Sequence, residues 1–308
     1  SMVSIYTVAE SWLNDRASNK NRGSVLSIYM VILYGAMGLG MFLLNFSDPG
    51  NFEPFILISI ITSAALIPIL LTKRKPPNFK KLQSMTLKDL YESSPLGMVS
   101  SVLYGTTQSA LFTLLAVYAT SMNFTIFEIS LVTFLLAISG AISQYPIGNL
   151  SDKYDRRTVI VIVAFLASIF AVIAVLIGSS YTALIITTFI FGGLTVPLYA
   201  LAIAHTNDFL EKDEMIAASA GIQLAGGIGL TIGPVIGGLS IDLIGANGFW
   251  IYLFLIHALL GIFGLFRMQI RESVPLEEQG STVLVGSRTT PTLMELYPDA
   301  EESIDPVE

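Results

Sequence analysis

Eight apolar segments, each close to the length that crosses a bilayer as a helix, constrain this chain more than any other feature. They run from about 24 to 46, 53 to 72, 96 to 121, 127 to 147, 158 to 178, 181 to 206, 215 to 243 and 248 to 267. A hydrocarbon core of about 30 Å takes roughly 20 apolar residues as helix, because lipid offers no partner to a backbone amide and a helix satisfies its own. Strands of a transmembrane barrel are about 10 residues long and alternate in polarity, unlike these continuous runs. The predicted fold class is therefore an all-α polytopic membrane protein. The charged fraction of 13% agrees, since soluble domains carry about a quarter.

The positive charges are one-sided. Arg16, Lys20 and Arg22 precede the first span; Lys73, Arg74, Lys75, Lys80, Lys81 and Lys88 separate the second from the third; Lys153, Arg156 and Arg157 separate the fourth from the fifth. Lys212 follows the sixth span, and Arg267, Arg271 and Arg288 follow the eighth, so all 16 bases fall on one face. The positive-inside rule makes that face cytoplasmic, which places the chain as a multi-pass protein of the inner (plasma) membrane with a cytoplasmic C-terminus. The net charge of −7 is set by the acids between Glu272 and Glu308, a segment too polar to bury a core and expected to be a disordered acidic tail.

The chain begins at Ser1, and Met2 to Leu13 is apolar but only about half a span long. Two readings stand: an incomplete sequence that starts in mid-helix, or an extra residue ahead of a genuine Met2 start. No Cys occurs, which excludes disulfides, thiolate metal sites and cysteine nucleophiles. No phosphate loop, metal-ligand cluster or nucleophile with a base is present, so an enzyme is not expected. Neither a cofactor nor a nucleic-acid partner is expected.

Between the fourth and fifth spans lies Gly148-Asn149-Leu150-Ser151-Asp152-Lys153-Tyr154-Asp155-Arg156-Arg157. This loop resembles the cytoplasmic-loop signature of the major facilitator superfamily, G-x-L-x-D-R-x-G-R-R/K. Gly148, Leu150, Asp152, Arg156 and Arg157 match, Lys153 keeps the charge of the usual Arg, and Asp155 replaces the second Gly. With four spans on each side, the loop corresponds to the second copy of that signature. The resemblance then implies helices 5–12 of a twelve-helix transporter, with Met2 to Leu13 as the end of helix 4. It implies residues 1–72 as the rest of an N-terminal six-helix half, 73–95 as the interdomain linker, 96–271 as the C-terminal half and 272–308 as the tail. Gly229-Leu-Thr-Ile-Gly233-Pro234-Val-Ile-Gly237-Gly238 resembles the family's antiporter motif, but it falls in helix 11 rather than helix 5 and does not license proton-coupled drug efflux. Ala9 to Asn14 and Leu198 to Asp208 look like segments of a bacterial subgroup of uncharacterised members.

Site residues follow from physics and resemblance together. Asp155 precedes an apolar run, where a carboxylate caps free helix N–H groups. Asp152 lies a turn earlier and is free to face another element; the resemblance implies a conformational gate made by Gly148, Asp152, Lys153, Arg156 and Arg157 against the helix start near Gly23. The bases have a plainer reading as interfacial anchors. Ionisable groups within membrane helices are costly, which makes Glu10 and the His205/Asp208 pair candidates for proton coupling. Helix capping or a bond to Lys212 serves the pair equally well. His257 is expected to bond to a neighbouring helix. Uncharged groups at mid-membrane depth, namely Tyr29, Tyr34, Tyr104, Gln108, Gln144 and Tyr199, are candidates to line a substrate cavity. Gly221, Ala225, Gly229, Gly233 and Gly237 form a smooth stripe suited to close helix packing, bent at Pro234.

The expected function is a secondary transporter that moves a small organic solute by alternating access, with protons as a candidate coupling ion. The alternative is a transport-inactive, truncated or sensor/scaffold membrane protein. Expected partners are the solute and the lipid bilayer.

Overall fold

A computed structural model describes residues 6, 8–10, 12–13, 22–48, 50–71, 85–177, 180–211, 214–280, 282, 285–286 and 289–290. The apolar segments fold as helices: α1 (Arg22–Met41, continued by a 3-10 turn at Phe42–Asn45), α2 (Glu53–Leu70), α3 (Leu87–Ser93), α4 (Pro95–Ser121) and α5 (Ile126–Ser151). Then come α6 (Arg156–Ile177), α7 (Tyr181–Thr195), α8 (Leu198–Asn207), α9 (Met215–Ile244) and α10 (Gly248–Ile270), with no strand among the described residues. Among the described residues, seven stretches are long and apolar enough to cross a membrane, α7 and α8 counting together as one; α2 is a shorter apolar helix. The expected Lys73 to Lys81 basic run and Lys212 lie outside the described residues, as does the chain beyond Thr290.

Helix boundaries follow local chemistry. Glu128, the one acid in the fourth apolar segment, closes a capping box: Thr125 N donates to Glu128 Oε2 at 2.8 Å, and Glu128 N donates to Thr125 Oγ1 at 3.3 Å. Two orphan amides at the start of α5 are thereby satisfied. Thr86 and Asp89 do the same for α3. The sixth segment is two helices rather than one continuous span, parted at Val196 and Pro197. Proline has no N–H to donate and its ring crowds the carbonyl one turn back, so the helix restarts after it.

The small-residue stripe of α9 lies against α4. A Cβ on Gly229 would stand 2.0 Å from the Val102 carbonyl oxygen, and one on Gly233 would stand 2.2 Å from Ser109 Oγ. Gly105 of α4 makes the reciprocal approach, 2.1 Å from the Gly226 carbonyl oxygen. Backbones this close allow Ser101 Oγ to donate across to Ile222 O at 2.7 Å. Gly237, next on the stripe, meets Leu114 of α4 and Tyr252 of α10.

Elsewhere α10 packs on α6, α7 on α5, and α8 on α4. At one end of the bundle the ring of Tyr118 stacks on Phe249 and meets Trp250 edge-on, and Phe191 completes the cluster. His257 is buried there and donates from Nδ1 to its own helix, at Leu253 O (2.8 Å). That corrects the expected bond to a neighbouring helix; a carbonyl one turn back is the nearest acceptor in an apolar setting. α1 joins the bundle through α5, with Asn45 Nδ2 donating to Ser130 Oγ at 2.9 Å and Phe42 packed on Phe134. The described tail residues are exposed from Glu272 to Glu278 apart from Val274, but later ones lie against the helices: Val285 is 2% exposed. A segment expected to be unstructured thus contributes to the core.

Candidate functional site

A cavity of about 220 Å³ opens between α1, α4 and α5, with the α7/α8 break and α9 completing its wall. It is lined by Leu33, Tyr34 and Met37 of α1, Tyr104, Gln108, Ser109 and Phe112 of α4, and Ala137, Val196 and Leu230. Gly286 of the tail also lines it. Its lining therefore combines aliphatic and aromatic surface with a few uncharged polar groups, the usual make-up of a small-molecule site. Gln108 is 4% exposed, and its Nε2 has no hydrogen-bond partner among the described residues. An amide N–H buried without a partner costs about 1–3 kcal/mol, which a ligand acceptor recovers.

Of the six residues expected to line a cavity, Tyr34, Tyr104 and Gln108 do so. Gln144 stands behind Tyr34, donating from Nε2 to the Tyr34 hydroxyl at 2.6 Å. Tyr199 packs on Tyr104 with ring centroids 5.2 Å apart and is buried. Tyr29 points elsewhere, donating its hydroxyl to Glu10 Oε1 at 2.8 Å. Met37, Ser109 and Phe112 were not singled out in the sequence, because nothing in an apolar run separates a cavity wall from a lipid-facing one. Val196 carried a signal, the proline that follows it and opens the helix.

A second cluster occupies the charged-loop end. Arg156 is 1% exposed; its Nε lies 3.3 Å from Asp208 Oδ2, close enough for an ion pair but not aligned for a hydrogen bond. Its Nη2 donates to the Gly280 carbonyl at 2.6 Å and lies 3.5 Å from Asp152 Oδ1. Asp152 accepts from the Thr282 amide at 2.8 Å and the Thr282 hydroxyl at 2.6 Å, and no described contact joins it to the helix start at Gly23. Gly148 leaves room for this: a Cβ there would stand 3.3 Å from Thr282 Cγ2. Asp155 caps α6 as expected, accepting from the Arg157 amide at 3.0 Å and from its guanidinium at 2.8 Å. Burial alone raises the Asp155 pKa, but the hydrogen bonds and charge of Arg157 outweigh it and hold the carboxyl below its ordinary range. Arg157 also donates to Arg271 O at 2.5 Å, and Arg271 lies over the Phe209 ring. Lys153 is exposed.

His205 and Asp208 do not pair. Asp208 turns to Arg156, while His205 meets the Phe209 ring edge-on. Burial pushes the Asp208 carboxyl up to about 6, with the Arg156 charge opposing. Glu10 is fully buried and accepts from Tyr29, from the Thr290 amide at 2.7 Å and from the Thr290 hydroxyl. The contacts of Asp152, Asp208, Arg156 and Glu10 with the tail had no signal in the sequence, where that segment reads only as polar and acidic.

The profile of the Major Facilitator Superfamily matches residues 97–283. The chain belongs to the major facilitator superfamily of membrane transporters. It is 28% identical over 234 residues to the uncharacterized MFS-type transporter YcaD of Escherichia fergusonii, covering 75% of this chain and 60% of the relative. Against the protein of the same name from Escherichia coli O9:H4 it is 25% identical over 232 residues, with the same coverage. The chain thus spans about three-fifths of the length of these relatives. No solved structure matches it.

Proposed function

We propose that the chain forms part of a secondary transporter that carries a small, uncharged or weakly polar organic solute by alternating access. The observation that carries this reading is the cavity between α1, α4 and α5, where Gln108 offers an unpartnered Nε2 amid aromatic and aliphatic walls. Apart from tyrosine, no ionisable side chain lines it among the described residues, which favours a solute without full charge. Residues 1–72 and 96–271 are taken as parts of two helical halves joined by the basic linker, with the charged-loop face cytoplasmic. The cavity lies between α1 of the first and α4, α5 and α9 of the second, where rocking of one half against the other exposes a central site to alternate sides. Glu10, and Asp208 with its raised pKa, are the candidate proton carriers; the cluster around Asp152 and Arg156 is the candidate gate.

The test is solute flux in proteoliposomes containing the full-length protein, with and without an imposed proton gradient, over a panel of neutral organic solutes. Gradient-sensitive flux that falls about tenfold or more with Gln108→Leu supports the reading, since one lost hydrogen bond to a buried group is worth about that factor. No flux for any solute would sink it and favour a sensor or scaffold.

A further inference from the structure

The described tail residues after Gln279 make a series of contacts with the helices. The Gly280 amide donates to Asp208 Oδ1 at 3.3 Å while the Gly280 carbonyl accepts from Arg156. Thr282 is held by Asp152 over the bare face of Gly148. Val285 is buried with Met30 and Tyr34 of α1, and its carbonyl lies 3.4 Å from Gln144 Nε2. Gly286 forms part of the cavity wall, where a Cβ would stand 3.0 Å from the Tyr34 hydroxyl. The Thr289 carbonyl accepts from Gln223 Nε2 of α9 at 2.7 Å, and Thr290 ends on Glu10.

Three carboxylates and two glutamines, drawn from separate parts of the chain, thus meet the main chain and hydroxyls of one segment. Buried polar groups need partners, and here the tail supplies them. The fit is close, since a Cβ at 286 would stand 3.0 Å from the Tyr34 hydroxyl and require it to give by a few tenths of an ångström. Contacts run from the charged-loop end inward to the cavity, and the segment lies between α1 with Glu10 on one side and α5 with α9 on the other.

We propose that the described tail residues Gly280, Thr282, Val285, Gly286, Thr289 and Thr290 belong to a built-in plug that docks on Asp152, Arg156 and Asp208 and closes the charged-loop mouth of the cavity. The tail then closes the route to the cavity from that face, and its release is a condition for loading from there. The loading condition rests on the transporter reading; the docking does not. Because these residues touch α1 and Glu10 as well as Gln144 of α5 and Gln223 of α9, their docking also holds those elements in one relative position.

The absence of native cysteine makes thiol chemistry a clean test on the full-length protein in membrane vesicles. In the first arm, Ser109→Cys is challenged with a charged, membrane-impermeant methanethiosulfonate from the charged-loop side. The expected result is protection in the intact chain and modification about tenfold faster when the chain is stopped after Arg271 or carries Val285→Asp, the factor by which a mostly docked plug lowers the open population. Equal rates with and without the tail overturn the proposal.

In the second arm, which does not depend on a truncated chain folding, Met30→Cys and Gly286→Cys are joined with a short bifunctional methanethiosulfonate whose linker replaces the reach of the methionine side chain; a Cβ at 286 stands 3.4 Å from Met30 Cε. A crosslink that Asp152→Asn with Thr282→Val weakens supports docking. No crosslink, with the thiol at 286 as reactive as one at the exposed Leu276, overturns it. Failure of flux with a positive crosslink sinks the transporter reading alone.

Discussion

Arg156 joins elements that are far apart in the chain: its guanidinium is buried against Asp208, Asp152 and the Gly280 carbonyl. Removing one member of a buried pair leaves the other charge unpaired, at a cost of about 3–5 kcal/mol. Asp208 can relieve part of this by taking up a proton, so Arg156→Ala is expected to destabilise by about 3 kcal/mol, and adding Asp208→Asn should restore part of the loss in thermal unfolding in detergent. Asp208 itself sets a pH dependence. Its folded carboxyl holds a proton up to about pH 6, whereas an unfolded one releases it near 4. The folded state therefore binds more protons between those values, and this residue's contribution to stability falls as pH rises from about 4 to 6 and is level above. Asp208→Asn should remove that slope. Asp155, held low by Arg157, acts in the opposite direction, its contribution being lost only as pH falls below about 4. Its capping role was legible in the sequence because capping is local. The Arg156–Asp208 pair was not, since the sequence offered His205, three residues from Asp208 on the same helix face, as the nearer partner.

In α9 the small residues recur at every fourth position, and in the structure Gly229 and Gly233 lie against α4. Gly229→Val would drive a side chain into the Val102 carbonyl, so the helices must part or shift, at about 1–3 kcal/mol or more. Gly238, which has open space around its Cβ position, is the control: Gly238→Ala should be neutral or slightly stabilising, because alanine is the better helix former. Melting temperatures of the two variants in the same detergent test this, and equal losses would contradict the packing. The stripe was readable because a helix repeats every 3.6 residues. Its partner was not, because a helix with Gly105 facing outward looks no different in sequence from one facing lipid. Thr125 with Glu128 was likewise a local signal for the start of α5. The break at Pro197 was not expected, because hydropathy runs through it without interruption.

At the scale of the whole molecule, the distribution of bases predicts topology. Ser47→Cys and Lys153→Cys should be labelled from opposite sides of intact cells, Ser47 from outside and Lys153 only after permeabilisation; the reverse result would invert the proposed orientation. The number of apolar segments and the clustering of charge were determined by sequence alone, since each is decided within about 20 residues by partitioning between lipid and water. Tertiary structure decided the rest. Gln144 meets Tyr34 across 110 positions of the chain, and Glu10 meets Thr290 across 280. In lipid, apolar faces turn toward membrane or toward another helix at similar cost, so hydrophobicity does not choose partners. Shape and a few buried polar groups choose them, and those are complementary only once the helices and the tail are in place.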